Sequence, residues 1–161
     1  MPQNDNDIVI VNYKPEHQSR IEEITLEAFQ GVSIDYLAEQ KLGVVPPGWG
    51  VRKVHDIRRC IKAEPEGVFV ALDGDIVAGY VTVETSAEKK VGRIIDLAVD
   101  SAYRRRGIGS QLIRRGLEYM KEKGMLLAKI ETLETNEAGM AAYPKLGFRE
   151  VVRQIHYYMP I

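Results

Sequence analysis

A single cysteine, Cys60, cannot close a disulfide within this 161-residue chain or supply a thiolate cluster for a metal. The three histidines, His17, His55 and His156, are too scattered to suggest a metal site. Charge of one sign is also lacking. With 22 basic and 23 acidic residues the net charge is -1, whereas general polyanion-binding domains carry a clear excess of Lys and Arg. No apolar run approaches the roughly 20 residues that span a bilayer. The opening MPQNDNDIVIV has acids and asparagines where a secretory signal needs a basic start and a long apolar stretch. Repeats and low-complexity stretches are absent as well. These absences make the cytoplasm the default compartment, with neither nucleic acid nor membrane as partner and Met1 to Asp7 a frayed start. What is present, 45% hydrophobic and 28% charged residues, suits one domain with a substantial core, residues 8–161.

Periodicity then divides the chain. Ile8 to Tyr13 is β-rich, and Pro15 opens a helix with Ile21, Ile24, Leu26 and Phe29 at near-helical spacing. Ser33 caps a short helix over Ile34 to Leu42. After the irregular Gly43 to Gly50, residues Val51, Val54, Ile57 and Ile61 recur at three and four, marking an amphipathic helix whose Arg and Lys residues face water and which stops at Pro65. Val68 to Leu72, Ile76 to Thr85 and Gly92 to Val99 read as strands, the first two joined by a tight turn at Asp73-Gly74. A helix over Ile108 to Lys123 ends at Gly124. Leu126 to Leu133 returns to strand, Glu137 to Leu146 to helix, and Phe148 to Met159 to a long final strand. The expected class is α/β, or α+β: a single mixed, mostly antiparallel sheet with helices on both faces.

The stretch from Leu97 to Leu112 carries the most chemical information, because there a strand ends, the chain turns and a helix starts with two glycines. The unpaired amides of a first helical turn and the helix dipole favour an anion, and Gly107 and Gly109 let a phosphate approach the backbone. Arg104, Arg105 and Arg106 add charge-assisted donors beside Ile108 and Ser110. A Walker loop is excluded because Gly-Lys-Ser/Thr is absent. A dinucleotide fingerprint lacks its third glycine, since Leu112 stands there, although Glu131 lies at a suitable distance for a ribose-binding acid.

Arg104, Gly107 and Gly109 meet the Arg/Gln-x-x-Gly-x-Gly/Ala motif of the GNAT superfamily of N-acetyltransferases, which this chain resembles. Asp96-Leu-Ala-Val-Asp100 looks like that family's splayed, bulged strand. Asn136, then Tyr143 seven residues later, then Leu146-Gly147-Phe148 resemble its downstream signature. The resemblance covers Val68 to Phe148, and the N-terminal helices by order only. It implies a splayed central pair of strands and acetyl-coenzyme A as co-substrate, with no metal. The pyrophosphate would lie on Arg104 to Ser110, and the pantetheine and acetyl groups on the backbone of Leu97, Ala98 and Val99. It implies direct acetyl transfer to a primary amine: a protein N-terminus, a lysine or a small molecule.

The residues available suit that chemistry. A lysine-like amine of pKa near 10.4 is unprotonated in only about one molecule in 10³ at neutral pH, so a base is needed. The resemblance puts Glu131 there, directly or through water, with Asp96 and Glu134 as alternatives because the strand register is not fixed by sequence. Tyr143 takes, by resemblance, the role of acid for the departing thiolate. Amides near Val99 would polarise the thioester carbonyl. Asn136 serves as N-cap, as a pantetheine contact, or both. Cys60, inside a helical pattern, reads as a packed thiol.

Pro144, directly after Tyr143, removes a helix hydrogen bond and could shift the phenol. The final run after Phe148 either bends into two segments or calls for a strand from a partner chain, giving a homodimer. By analogy with the family, residues from Phe29 to Trp49 would line the acceptor groove, where Tyr36 and Trp49 either contact an apolar part of the acceptor or pack the lid against the core. Two rival functions stay open: a catalytically silent coenzyme A sensor on the same fold, and a Rossmann-type dinucleotide binder.

Overall fold

The computed structural model describes residues 8–161, so the frayed start expected at Met1 to Asp7 lies outside them. Five strands form one sheet in the order β1-β2-β3-β4-β5: β1 Ile8–Asn12, β2 Val68–Asp73, β3 Ile76–Ser86, β4 Val91–Val99 and β5 Leu127–Ile130. The first four pair antiparallel, and β5 joins β4 in parallel. The helices are α1 Gln18–Phe29, α2 Ile34–Leu42, α3 Trp49–Ala63, α4 Ile108–Glu122 and α5 Glu137–Lys145. No helix among them is long and apolar enough to cross a membrane.

Each face of the sheet carries its own core. On one side Ile21 and Ile24 of α1 and Ile57 and Ile61 of α3 pack on Val68, Val70, Val77, Tyr80 and Ala98. On the other, Ile108, Leu112, Ile113, Tyr119 and Met120 of α4 cover Phe69, Val81, Val83 and Ile94. Alternation along the strands feeds both layers. Ser33 caps α2 through a hydrogen bond from the Tyr36 amide, and Gly124, at φ +76°, follows the end of α4. The turn after Asp73 uses Gly74 at φ +59°.

Three expectations need correction. The final strand expected over Phe148 to Met159 is not formed, residues 148–161 carrying no strand, and Val151, Val152, Ile155, Tyr157 and Met159 stand exposed. Apolar β-branched and aromatic side chains favour a strand only where a neighbouring edge completes the ladder, and this run meets none among the described residues. The strand expected over Leu126 to Leu133 shrinks to Leu127–Ile130, because the chain parts from β4 after Ile130 although β4 itself continues to Val99. In α3, Lys53 does not face water: it turns inward to Asp96. An acid buried on the neighbouring sheet face attracts it, which helical periodicity cannot reveal.

Candidate active site

The site begins where β4 and β5 part. They pair from Val91↔Leu127 to Ile94↔Ile130, and β4 then runs on to Val99 with β3 as its one strand partner among the described residues. From Ile95 to Val99 the β4 edge on the β5 side therefore has no strand partner among the described residues, leaving backbone groups of Leu97 and Val99 open to a ligand, whereas those of Ala98, two residues before the Asp100 amide that donates to Ala78, point to β3. A bulge accompanies the parting, since Thr82 opposes Asp96 but Val83 opposes Ile94, making Ile95 the extra residue. It also inverts the pleat. Ile94, Leu97 and Val99 pack toward α4, while Ala98 packs toward α1 and α3 with Asp96, whose carboxylate meets Lys53 of α3. Arg93 alternates with Gly92 and Ile94, both of which meet the α4 side, so it shares the face of Asp96.

The loop after β4 leads into α4. Asp100 accepts a hydrogen bond from the Ala102 amide and is held by Arg20 of α1, which fixes the strand end. Arg105 at φ +63° and Gly107 at φ +73° turn the chain sharply, and Gly107 is the N-cap of α4. A left-handed conformation in an arginine is uncommon, and such residues gather where backbone is shaped for a ligand. The first amides of α4 have no intrahelical acceptor. A Cβ at Gly107 would meet nothing within 4 Å, and one at Gly109 only Val99 Cγ2 at 3.9 Å, so open space lies in front of this helix start. Arg104 and Arg105 are exposed, whereas Arg106 stacks over the Tyr103 ring at 5.2 Å. Ile108 is buried as an anchor of α4, so only its amide can serve a ligand, and Ser110 is half-buried one turn in. Amides, glycines and guanidinium groups gathered in this way have the chemistry to hold an anion.

Across the parting, α5 starts at Asn136, whose Oδ1 accepts from the Gly139 amide at 3.3 Å and whose Nδ2 donates to Thr132 Oγ1 at 2.9 Å. Its side chain is thus the helix cap. Tyr143, two turns on, is half-buried and meets Phe148 edge-on at 6.2 Å. Burial raises the pKa of its phenol, which keeps its proton. Pro144 sits inside the last turn of α5, and the Leu146 amide still reaches Ala142 and Tyr143.

Glu131 is the first residue past β5. It pairs with Lys129 at 2.7 Å and with Arg93 at 2.9 Å. The Lys129 hydrogen bond, then the Arg93 charge, outweigh burial and hold its carboxyl below the ordinary range. Of the alternatives, Asp96 is 3% exposed, while Glu134 is exposed and paired with Arg153. Since Arg93 shares a face with Asp96, Glu131 and Asp96 both border the α1 and α3 side of the parting.

Cys60 is buried, and burial, aided by the charge of Asp96, pushes its thiol up to about 11, in keeping with a packed thiol. Tyr36 and Trp49 meet each other edge-on at 5.4 Å and join α2 to α3. Sequence reasoning passed over Lys53, Thr132 and Gly139. Gly139 could have been found from its place between Asn136 and Tyr143, for a Cβ there would lie 2.9 Å from Asn136 Nδ2, 3.0 Å from Thr132 Oγ1 and 3.2 Å from Tyr143 Cε2. Lys53 left no such signal.

A mixed sheet opening beside a helix start is a fold shared with solved structures. The Pyrococcus horikoshii OT3 protein PH1933 aligns over 91% of this chain and 92% of its own, with a TM-score of 0.72 at 22% identity. Residues 24–148 match the acetyltransferase (GNAT) family, and the chain belongs to it. The chain is 30% identical over 115 residues to mycothiol acetyltransferase of Segniliparus rotundus, covering 68% of this chain and 43% of that protein. It is 33% identical over 109 residues to N-alpha-acetyltransferase 30 of Xenopus laevis, covering 66% of this chain and 40% of that one. The alignments thus span less than half of either relative. The family's general co-substrate is acetyl-coenzyme A.

Proposed function

We propose that this protein is an N-acetyltransferase that transfers an acetyl group from acetyl-coenzyme A directly to a primary amine. The observation that carries the reading is the unpartnered β4 edge from Ile95 to Val99, which ends beside the open helix start at Gly107 and Gly109. Together they suit one extended ligand with a pyrophosphate at one end and a thioester-bearing arm at the other. Arg104 to Ser110 hold the phosphates. The backbone of Leu97 and Val99 orients the arm, and an amide near Val99 polarises the carbonyl. Tyr143, kept protonated by burial, supplies the proton to the leaving thiolate.

The acceptor class follows from Glu131. A carboxylate held below its ordinary range by Lys129 and Arg93 is poorly matched to a lysine amine of pKa near 10.4. An α-amine of pKa about 7.7–8.0 is already unprotonated in roughly a tenth of molecules at pH 7 and needs far less help. A peptide N-terminus is therefore the acceptor we favour, and the likeness to N-alpha-acetyltransferase 30 supports it. Glu131 then receives the proton directly or through water, and orients the amine.

The test is turnover of acetyl-coenzyme A with a panel of N-terminal peptides, lysine peptides and small amines, followed by free thiol release, alongside calorimetry with coenzyme A and with NAD. Thiol release with N-terminal peptides is expected. Coenzyme A binding without turnover of any amine would leave a silent sensor, and binding of NAD alone would mean a dinucleotide binder.

A further inference from the structure

Lys53 differs from its neighbours on α3. Arg58, Arg59 and Lys62 are exposed, but Lys53 turns inward with its side chain only 14% exposed, its ammonium 2.5 Å from Asp96 Oδ1 and 4.0 Å over the Phe29 ring. Asp96 lies in β4 directly after the bulge, where the strands part, and immediately before Leu97. Its second oxygen, Oδ2, is buried without a hydrogen-bond partner among the described residues. A carboxylate serving only a structural ion pair would be expected to have both oxygens satisfied, since an unmet buried acceptor carries the full desolvation cost.

A cofactor arm lying along the β4 edge, with its phosphates at α4, reaches the other face of the sheet by passing between β4 and β5. On that face Lys53 holds its amine on Asp96, immediately before Leu97, whereas the amine of Lys129, paired with Glu131, belongs to an exposed side chain. We propose that Lys53 is a self-acetylation site, its ε-amine accepting the acetyl group when no external acceptor fills the site. The inference rests on the acetyltransferase reading above. In the step, Lys53 gives a proton to Asp96 and its nitrogen attacks the thioester carbonyl carbon. The C–N bond forms and the C–S bond breaks. Of the two protons that leave the ammonium, one replaces the proton supplied to the coenzyme A thiolate and the other passes by way of Asp96 to solvent. The products are N-acetyl-lysine, coenzyme A thiol and one released proton. The modified side chain can no longer neutralise Asp96, so the product state strands a buried carboxylate and fills the acceptor's place with an amide.

The experiment incubates the whole chain with acetyl-coenzyme A carrying an isotope-labelled acetyl group and follows each lysine by peptide mass spectrometry, with calorimetric binding of acetyl-coenzyme A measured on the same sample. Label is expected at Lys53 at least about tenfold faster than at Lys62, the exposed lysine of the same helix, with a rate unchanged on dilution because the reaction is intramolecular. Gly109→Val, which should fail to hold the cofactor, and Asp96→Asn should both suppress that label. Lys53→Arg should remove it while keeping a cation for Asp96. Label at Lys53 no faster than at Lys62, or unaffected by Gly109→Val, would mean chemical acetylation and overturn the proposal. Tight binding of acetyl-coenzyme A with no label at Lys53 would leave the pair as a structural bridge and spare the function. No binding would remove both.

Discussion

Asn136 and Gly139 are locked together: the Asn136 side chain caps α5 through the Gly139 amide, and the missing side chain of Gly139 is what allows Asn136, Thr132 and Tyr143 to converge. Gly139→Ala sets two effects against each other. Alanine in a helix gains about 1 kcal/mol over glycine, while the crowding of Asn136 Nδ2 and Thr132 costs about 1–3 kcal/mol. Stability should change little, but the displacement falls on Tyr143. Expected are a melting temperature within a few degrees of the parent and a loss of acetyl transfer of at least about tenfold. A variant with unchanged turnover would detach this helix turn from the chemistry.

Gly109→Val is the complementary test of the cradle. Outside its chain neighbours and its own helix backbone, a Cβ at Gly109 meets only Val99 Cγ2, at 3.9 Å, among the described residues, so the substitution brings no clash with another element. A branched side chain in that space would keep a phosphate from the α4 amides. Coenzyme A affinity should fall at least about tenfold by calorimetry, with thermal stability preserved. A folded variant that binds as the parent does would remove the pyrophosphate from this helix start.

Tyr143→Phe keeps the ring and its contact with Phe148 while deleting the hydroxyl. If the phenol protonates the thiolate, kcat should fall on the order of 10²–10⁴ with little change in cofactor affinity. Burial raises the phenol's pKa, so it stays protonated through neutral pH and its alkaline limb lies above the ordinary tyrosine range. A loss below about threefold would assign Tyr143 to packing and the proton to water.

The pH profile separates Glu131 from the acceptor. Because its carboxyl is held below the ordinary range, it is ionised throughout mild acid and neutrality, so its own limb lies below about pH 4.3. With an N-terminal peptide, kcat/KM should rise toward about pH 8 as the α-amine loses its proton, then level off. Glu131→Gln should lower the plateau without moving that limb. At neutral pH the N-terminal peptide should exceed a matched lysine peptide on the order of 10², the ratio of their unprotonated fractions. Equal rates for both peptides would count against an α-amine acceptor.

Thermodynamic linkage gives the same carboxylate a sign in stability. Since its folded pKa is depressed, Glu131 contributes stability above its unfolded pKa, and that contribution is lost as pH falls through the lower folded value. Being half exposed, it contributes weakly. Glu131→Gln should therefore narrow its melting-temperature deficit to the parent as the pH is taken from neutrality down to about 3. A deficit independent of pH would mean that the ion pairs with Lys129 and Arg93 do not persist in solution.

Short-range chemistry was open to reading from residues alone. Gly107 and Gly109 at a strand-to-helix junction, and Asn136 seven residues before Tyr143, are patterns in which each residue's conformation depends on near neighbours in the chain, so the glycine-lined helix start and the capped helix were foreseen. The Ser33 cap, the Asp73-Gly74 turn and the stop at Gly124 were equally local. What tertiary structure decided were contacts between distant segments. The bulge at Ile95 inverts the pleat, and that alone assigns Asp96 to the α1 and α3 face; no strand pattern reveals an extra residue. Lys53 belongs by periodicity to a solvated helix face, yet an acid 43 residues away draws it inward. The run after Phe148 has every local mark of a strand, but a strand exists only where a partner edge completes its hydrogen bonds, and whether an edge is reached is decided by the whole fold.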